Sequence, residues 1–348
     1  MKKVGLKKRR WLIRQQVRRH QKAVYFANVK KVPTRRTKPD HLIAPAYFSI
    51  LSQKSDKTGA AIVKFFQFLN GIRNYSRKHL CIDMSKVNRL VVHATLLFKA
   101  EISYLKSRGV QIRAIAPTKA RSLQVLTQTG LTSILGISDC AQVDREDTIH
   151  WHHASGAWNI TQPARLSTFL IPAEGNKPSP LYTGMIESVA NCIEHAYKNH
   201  PARRKFVNNQ DGWWGFQQKR DGNLYTCICD LGIGISRALP MKLKDEPNLL
   251  AMFLSLVKDM KEGEDTKSIF AAVKYGRSST GKRQRGKGLE DVHKVIDDAG
   301  EGELHIFSNR GLYVYSRKKG VLTPKTRARR LKDSIAGTLY FWKYPIQI

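Results

Sequence analysis

Long apolar runs are missing from this 348-residue chain. No stretch approaches the roughly 20 residues that span a bilayer, so no transmembrane segment is expected. The start, MKKVGLKKRRWLIRQQVRRHQ, is positive but has no uninterrupted apolar core. It does not read as a secretory signal, although an Arg-rich, acid-poor start is also the composition of organelle transit peptides. Cysteine is scarce: Cys81, Cys140, Cys192, Cys227 and Cys229 are odd in number and contain no C-x-x-C pair. Buried free thiols in a reducing cytoplasm are the expectation, with a metal site the lesser alternative. Acid is scarce as well, with 27 Asp and Glu against 61 Lys and Arg, a formal charge of +34. Such a field attracts polyanions: nucleic acid, nucleotides or an anionic membrane surface. What remains is ordinary, since 41% hydrophobic residues suit a globular chain long enough for two compact domains.

Residues 1–43 read as a basic arm and linker. Asp40 is the only acid before position 41, and Trp11, Leu12 and Val17 are interspersed with Arg9, Arg10, Arg14, Arg18 and Arg19. A basic amphipathic helix of this kind grips phosphates, lies on a membrane or meets an acidic partner; a solvated tail is the plainer alternative. Pro33 and Pro39 mark the linker.

From 44 to 140 the pattern alternates. Residues 78–83 (KHLCID) read as a buried strand ending in an acid, 94–107 as an amphipathic helix, 110–115 (VQIRAI) as a second strand, and 117–128 as a second helix with Pro117 in its first turn and Gly130 beyond its end. Strand, helix, strand, helix at this spacing implies a parallel sheet with covering helices. The segments IDMSKV (82–87), SRGVQIRAIAP (107–117) and VLTQTGLTSIL (125–135) resemble a STAS domain, the fold of bacterial anti-sigma-factor antagonists. That family carries a phosphorylatable serine at the start of the helix. Here the stretch reads LVVHAT (90–95), with His93 nearest the position and Thr95 one or two places off. A helix-start histidine with a packing role is the plainer reading of His93. A connector at 141–165 holds His150, His152 and His153 around Trp151; without a cysteine pair nearby, exposed imidazoles at a strand end are expected rather than a metal site. Residues 166–171 (LSTFLI) read as the first strand of the next domain, 166–348.

Four features of that second half carry chemistry. On a helix at 181–198, Glu187 and Asn191 lie four residues apart on a wet face, opposite Met185, Ile186, Val189, Ile193, Ala196 and Tyr197. A strand ending in YTCICDLGIGI (225–235) delivers Asp230 followed by Gly232 and Gly234; glycines let a flat ligand approach the backbone, and the carboxylate can accept a bond from an exocyclic amine. A polar, basic, glycine-rich loop from 274 runs into a helix at Leu289, with Gly286 and Gly288 bracketing its start, where free N–H groups favour phosphate. Gly337-Thr338 opens a late strand. Each alone has a bland explanation.

In this order, E-x-x-x-N, D-x-G-x-G, a glycine-rich lid and G-T resemble the ATP-binding superfamily of gyrase, heat-shock chaperones, histidine kinases and MutL (GHKL). The closest likeness is to anti-sigma-factor serine kinases, through ESVANCIEHAY (187–197). The resemblance implies an α/β chain: a STAS-like domain, then a two-layer sandwich with helices on one face of a mixed sheet. It implies ATP and Mg²⁺ as cofactors, Asn191 as the Mg²⁺ ligand and Glu187 as general base. Asp230 would hold the adenine amine, Gly232 and Gly234 would line the base, Thr338 would support it, and Gly286 and Gly288 would belong to the lid. Glu290-Asp291 stand where relatives often carry another glycine. Three readings share such a site: an ATPase that gates a regulatory protein partner, a serine/threonine protein kinase, and a non-catalytic ATP-gated switch on nucleic acid bound through the basic arm. Homodimers are common in such a superfamily.

Overall fold

The computed structural model describes residues 41–51, 59–138, 142–158, 163–170, 179–201, 203–206, 210–245, 247–259, 264–278 and 288–346. The basic arm, Cys140, Gly286 and the central stretch of the expected lid lie outside them. The described chain is mixed α/β, and none of its helices is long and apolar enough to cross a membrane.

The first half is built on parallel strands. β1 (His41–Ile43), β3 (His79–Asp83) and β5 (Gln111–Ile115) form a three-stranded parallel sheet in the order β1-β3-β5, and β2 (Tyr47–Phe48) pairs in parallel with β4 (Arg89–Leu90). Helices α1 (Ala60–Arg73), α2 (Val92–Ser107), α3 (Ala120–Gln128) and α4 (Leu131–Leu135) complete it. The expected strands and helix are present. The second helix starts at Ala120 instead of Pro117, and Gly130 at φ +69 turns the chain directly into α4. Asp83 at the end of β3 accepts the Ser85 N–H at 2.8 Å, a local turn.

After α5 (Glu146–Ile149), the chain enters a seven-stranded sheet ordered β11-β10-β9-β12-β8-β7-β6. Its strands are β6 (Trp151–Ala157), β7 (Asp211–Arg220), β8 (Asn223–Asp230), β9 (Gly302–Ser308), β10 (Gly311–Arg317), β11 (Lys325–Arg330) and β12 (Thr338–Pro345). Every pairing in it is antiparallel, not the mixed arrangement expected. Its first strand is β6, inside the stretch read as a connector, and Gly156 there admits the Trp213 ring across the pair. The strand expected at 166–171 is instead a 3-10 helix, Pro163–Thr168. Leu166 and Phe169, three apart, bury on one side, as the three-residue period of that helix requires.

One face of this sheet carries α6 (Pro180–Asn191), α7 (Ile235–Lys242), α8 (Pro247–Asp259), α9 (Glu264–Ser278) and α10 (Gly288–Ala299). Lys274 and the residues up to Ser278, read as loop, are helical. Gly184 of α6 sits where a β-carbon would overlap Val295, so α10 can pack closely on α6. The opposite face is also covered. Leu96, Leu97, Phe98 and Ala100 of α2 are fully buried in one continuous core with Trp214, Phe216, Cys227, Cys229 and Phe307 of the large sheet. The alternation of β8 therefore sends Cys227 and Cys229 towards α2 and Ile228 towards the other helices.

Polar groups lock this inter-half layer. Glu101 of α2, 1% exposed, accepts bonds from Arg73 Nε at 2.6 Å and from Arg204 Nη1 and Nη2 at 2.6 and 2.9 Å. Arg73 then donates to the carbonyls of Ser334 and Ile335, ahead of β12. Burial pushes the Glu101 carboxyl up, but the two guanidinia outweigh it and hold it below the usual range. Lys99 is buried with its Nζ on the Thr129 carbonyl at 2.6 Å and 5.2 Å above the Phe216 ring. His153 lies 3.2 Å from that amine. Among the described residues no group of His, Cys, Asp and Glu is arranged to hold a metal ion.

Candidate functional site

The helical face of the large sheet holds a cavity. It receives Asp230 from the end of β8, Asn191 and His195 from the end of the first long helix, Gly234, Ala238 and Lys242 from the following turn and α7, Ala272 from α9, and Thr338 and Tyr340 from β12. Leu289 adds the start of α10.

The turn after β8 explains its own sequence. Asp230 is 3% exposed, and its Oδ1 accepts the Gly232 N–H at 2.7 Å and the Thr338 N–H at 3.1 Å. Cys192 Sγ lies 3.6 Å from Oδ2. Burial pushes the Asp230 carboxyl up to about 6, against the two N–H groups that favour its charged form. A side chain at Gly337 would overlap the Asp230 carbonyl, which is why a glycine precedes Thr338. Gly232 is needed for packing: a β-carbon there would overlap Ala196, and the next N–H, Ile233, donates to the Ala196 carbonyl at 2.9 Å. Gly232 does not line the cavity, whereas Gly234 does. Gly234 has φ +79 and ψ 163, a region closed to other residues, and a β-carbon would overlap Asn309 Nδ2. Asn309 Nδ2 bonds the Ile233 carbonyl at 3.0 Å and Ser308 Oγ accepts the Ile235 N–H at 2.8 Å, so the β9–β10 turn pins the glycine turn from behind.

The first long helix changes register at the site. α6 ends at Asn191, and Cys192–Ala196 wind as a π-helix, a local widening common where helices build sites. Its consequence is visible in burial: Cys192 and Ala196 are buried, whereas Ile193, expected in the core, is only partly so. Asn191 is thereby presented at the cavity wall with its Nδ2 buried and lacking a partner among the described residues. His195 Nδ1 is in the same condition, and burial, with Lys242 and Lys198 nearby, lowers that imidazole to about 4, so it is neutral at pH 7. Tyr197 closes the end of the turn by donating to the Gly212 carbonyl and accepting the Leu231 N–H at 3.0 Å.

Glu187 stands one turn before Asn191 and is half-buried, outside the cavity lining. Burial raises its carboxyl above the ordinary value, Asp291 of α10 and Glu194 raise it further, and Lys242 opposes them. A carboxylate so placed is a stronger base than one in water. Gly288 begins α10, with Glu290 and Asp291 in its first turn and Lys294 paired to both at 3.3 and 3.7 Å.

Asn191, Asp230, Gly234 and Thr338 thus converge on one cavity, with Glu187 on the adjoining turn and Gly288 beside Leu289 at the start of α10. Sequence reasoning did not single out Lys242, Tyr340, Leu239 or Ala272. Leu239, Lys242 and Ala272 lie on helices outside the four motifs, and Tyr340 lies two residues beyond Thr338; only the fold joins them. Chemically, the lining offers apolar side chains from α7 and β12, the Asp230 carboxylate and the Asn191 amide at the end of α6. Comparison of the chain with protein-family models, with curated proteins and with solved structures finds no match.

Proposed function

We propose that this protein binds Mg·ATP in the cavity around Asp230 and hydrolyses it to gate an interaction with a regulatory protein partner, as a member of the GHKL superfamily preceded by a STAS-like half. The observation that supports this reading most is the meeting of Asp230, Asn191, Gly234 and Thr338 on one cavity from separate segments of the chain. Three of the four motifs, from the end of α6, the turn after β8 and the start of β12, contribute side chains or backbone to this one lining.

The residues present fit both groups. Asp230, buried and backbone-anchored, accepts a bond from the adenine amine, while Ile235, Leu239 and Tyr340 supply apolar walls for a flat ring. Asn191 offers the side-chain oxygen that a hard cation takes, and its unpartnered nitrogen can donate to a phosphate. Mg²⁺, when bound, neutralises charge on the phosphates. Glu187, one turn away and made more basic by burial and Asp291, takes the proton of the attacking water. Lys242, on the cavity wall, supplies positive charge facing the phosphate end.

The kinase alternative would direct the phosphoryl group to a protein hydroxyl. Thr95 is a poor acceptor for it, since it is fully buried and its Oγ1 donates to the Val91 carbonyl at 2.9 Å. The test is incubation with γ-labelled ATP, comparing wild type with Glu187→Ala. Free labelled phosphate lost in the variant, with ATP binding retained, is the expected result. Labelled protein would replace hydrolysis by phosphotransfer, and equal turnover in both proteins would remove Glu187 as the base.

A further inference from the structure

A second cavity lies on the other face of the large sheet, where α2 meets β7, β8 and β12. Tyr340 and Phe341, adjacent on β12, line the first and second cavities respectively, so the sheet separates them. Three guanidinium groups line the second cavity, from Arg89, Arg121 and Arg220, and its described lining contains no Asp or Glu. Arg121 donates its Nε to Asp147 and Arg220 its Nε to Asp221, and neither makes a further side-chain hydrogen bond to a described residue. Arg220 is also stacked 5.0 Å above the Tyr225 ring. Arg89 is exposed and makes no ion pair with a described residue.

The 16-residue helix α2 begins at this cavity, with Val91, Val92 and His93 in the lining. No side chain caps it and no acid stands in its first turn, leaving first-turn N–H groups without intrahelical partners. His93 is the independent sign. It is 5% exposed, packs on Phe341 and Phe307 with ring centres 5.7 and 6.2 Å away, and lines the cavity with both ring nitrogens buried and without a partner among the described residues. A buried imidazole with neither nitrogen bonded costs stability unless something in the cavity meets it.

We propose that this second cavity binds a phosphate group, free or as a monoester, held by Arg89, Arg121 and Arg220 and by the start of α2, with His93 completing the shell. Guanidinium forks and a helix N-terminus are the donors that phosphate oxygens match. The site exists only where the two halves meet, since Arg89, Arg121 and His93 come from the first and Arg220 from the second.

The experiment is calorimetric titration of the full chain, at constant ionic strength, with inorganic phosphate, O-phosphoserine and ribose 5-phosphate. Wild type, Arg89→Ala, Arg89→Ala/Arg220→Ala and Asp230→Asn are compared, with melting temperatures as a folding control. Expected is one saturable site, weakened about tenfold or more in the double variant and unchanged in Asp230→Asn. Arg89→Ala, at an exposed position, should weaken binding without moving the melt. Tightest binding by inorganic phosphate assigns the site to the free ion, and tightest binding by either ester to a monoester. Equal affinity in wild type and the double variant overturns the proposal. So does loss of binding in Asp230→Asn, which would place the phosphate in the first cavity.

Discussion

Glu101→Gln should destabilise the whole molecule, not one half. The carboxylate is 1% exposed and is met by Arg73 and Arg204, themselves 12% and 17% exposed. The amide keeps the shape but removes the charge, leaving two buried guanidinium groups without a counterion. Breaking a buried ion pair in this way costs about 3–5 kcal/mol. With the unfolding entropy of an average globular chain of this length, that corresponds to a melting temperature lower by ~4–7 °C, provided the chain unfolds as one unit. Thermal unfolding followed by circular dichroism measures it, and a single wild-type transition should move as a whole. The same clamp sets an acid limit. Glu101 ionises below its unfolded value, so its contribution is present above that value and is lost as pH falls through the lower folded one. A shift under about 1 °C, or two wild-type transitions of which only one moves, would refute the idea that α2, Arg204 and the segment before β12 form one core.

Gly234→Ala places a side chain at φ +79 and ψ 163 against Asn309. It should cost of order 1–3 kcal/mol in denaturant unfolding, and a loss below about 0.5 kcal/mol would show that the turn relaxes freely. Cys192, Cys227 and Cys229 are buried, and burial raises all three thiols well above the ordinary value. They should react with a disulfide reagent only after denaturant is added; fast native labelling of Cys227 or Cys229 would contradict the packing of β8 between two covered faces, and of Cys192 the burial of the turn after α6.

Much of the first half was legible because parallel βα units write themselves in short apolar runs: KHLCID and VQIRAI fall at β3 and β5 within a residue. The end of β8 was legible for a related reason, since an apolar run stops at an acid and two glycines. The docking of the halves was not legible. α2 was read as amphipathic, yet from Val92 to Ile102 every residue is buried, Lys99 and Glu101 included. A helix enclosed on both sides reads apolar nearly all round, and the signal was the few charges, which had to find partners far away in sequence. The π-turn at Cys192–Ala196 left no mark in an otherwise helical pattern. β6 carries no regular apolar alternation in WHHASGA, so only a strand end is legible around its histidines, and its extent and place in the sheet are fixed by pairing with β7.

An adenine nucleotide site around Asp230, as proposed, must discriminate between bases. Equilibrium binding of ATP and GTP to wild type and Asp230→Asn, in the presence of Mg²⁺, measures this. Wild type should prefer ATP over GTP, because Asp230 accepts from an exocyclic amine at that edge of the base, and Asp230→Asn should lose the preference together with most of the affinity. ATP binding that is equal in the two proteins, or equal for ATP and GTP in wild type, would contradict it.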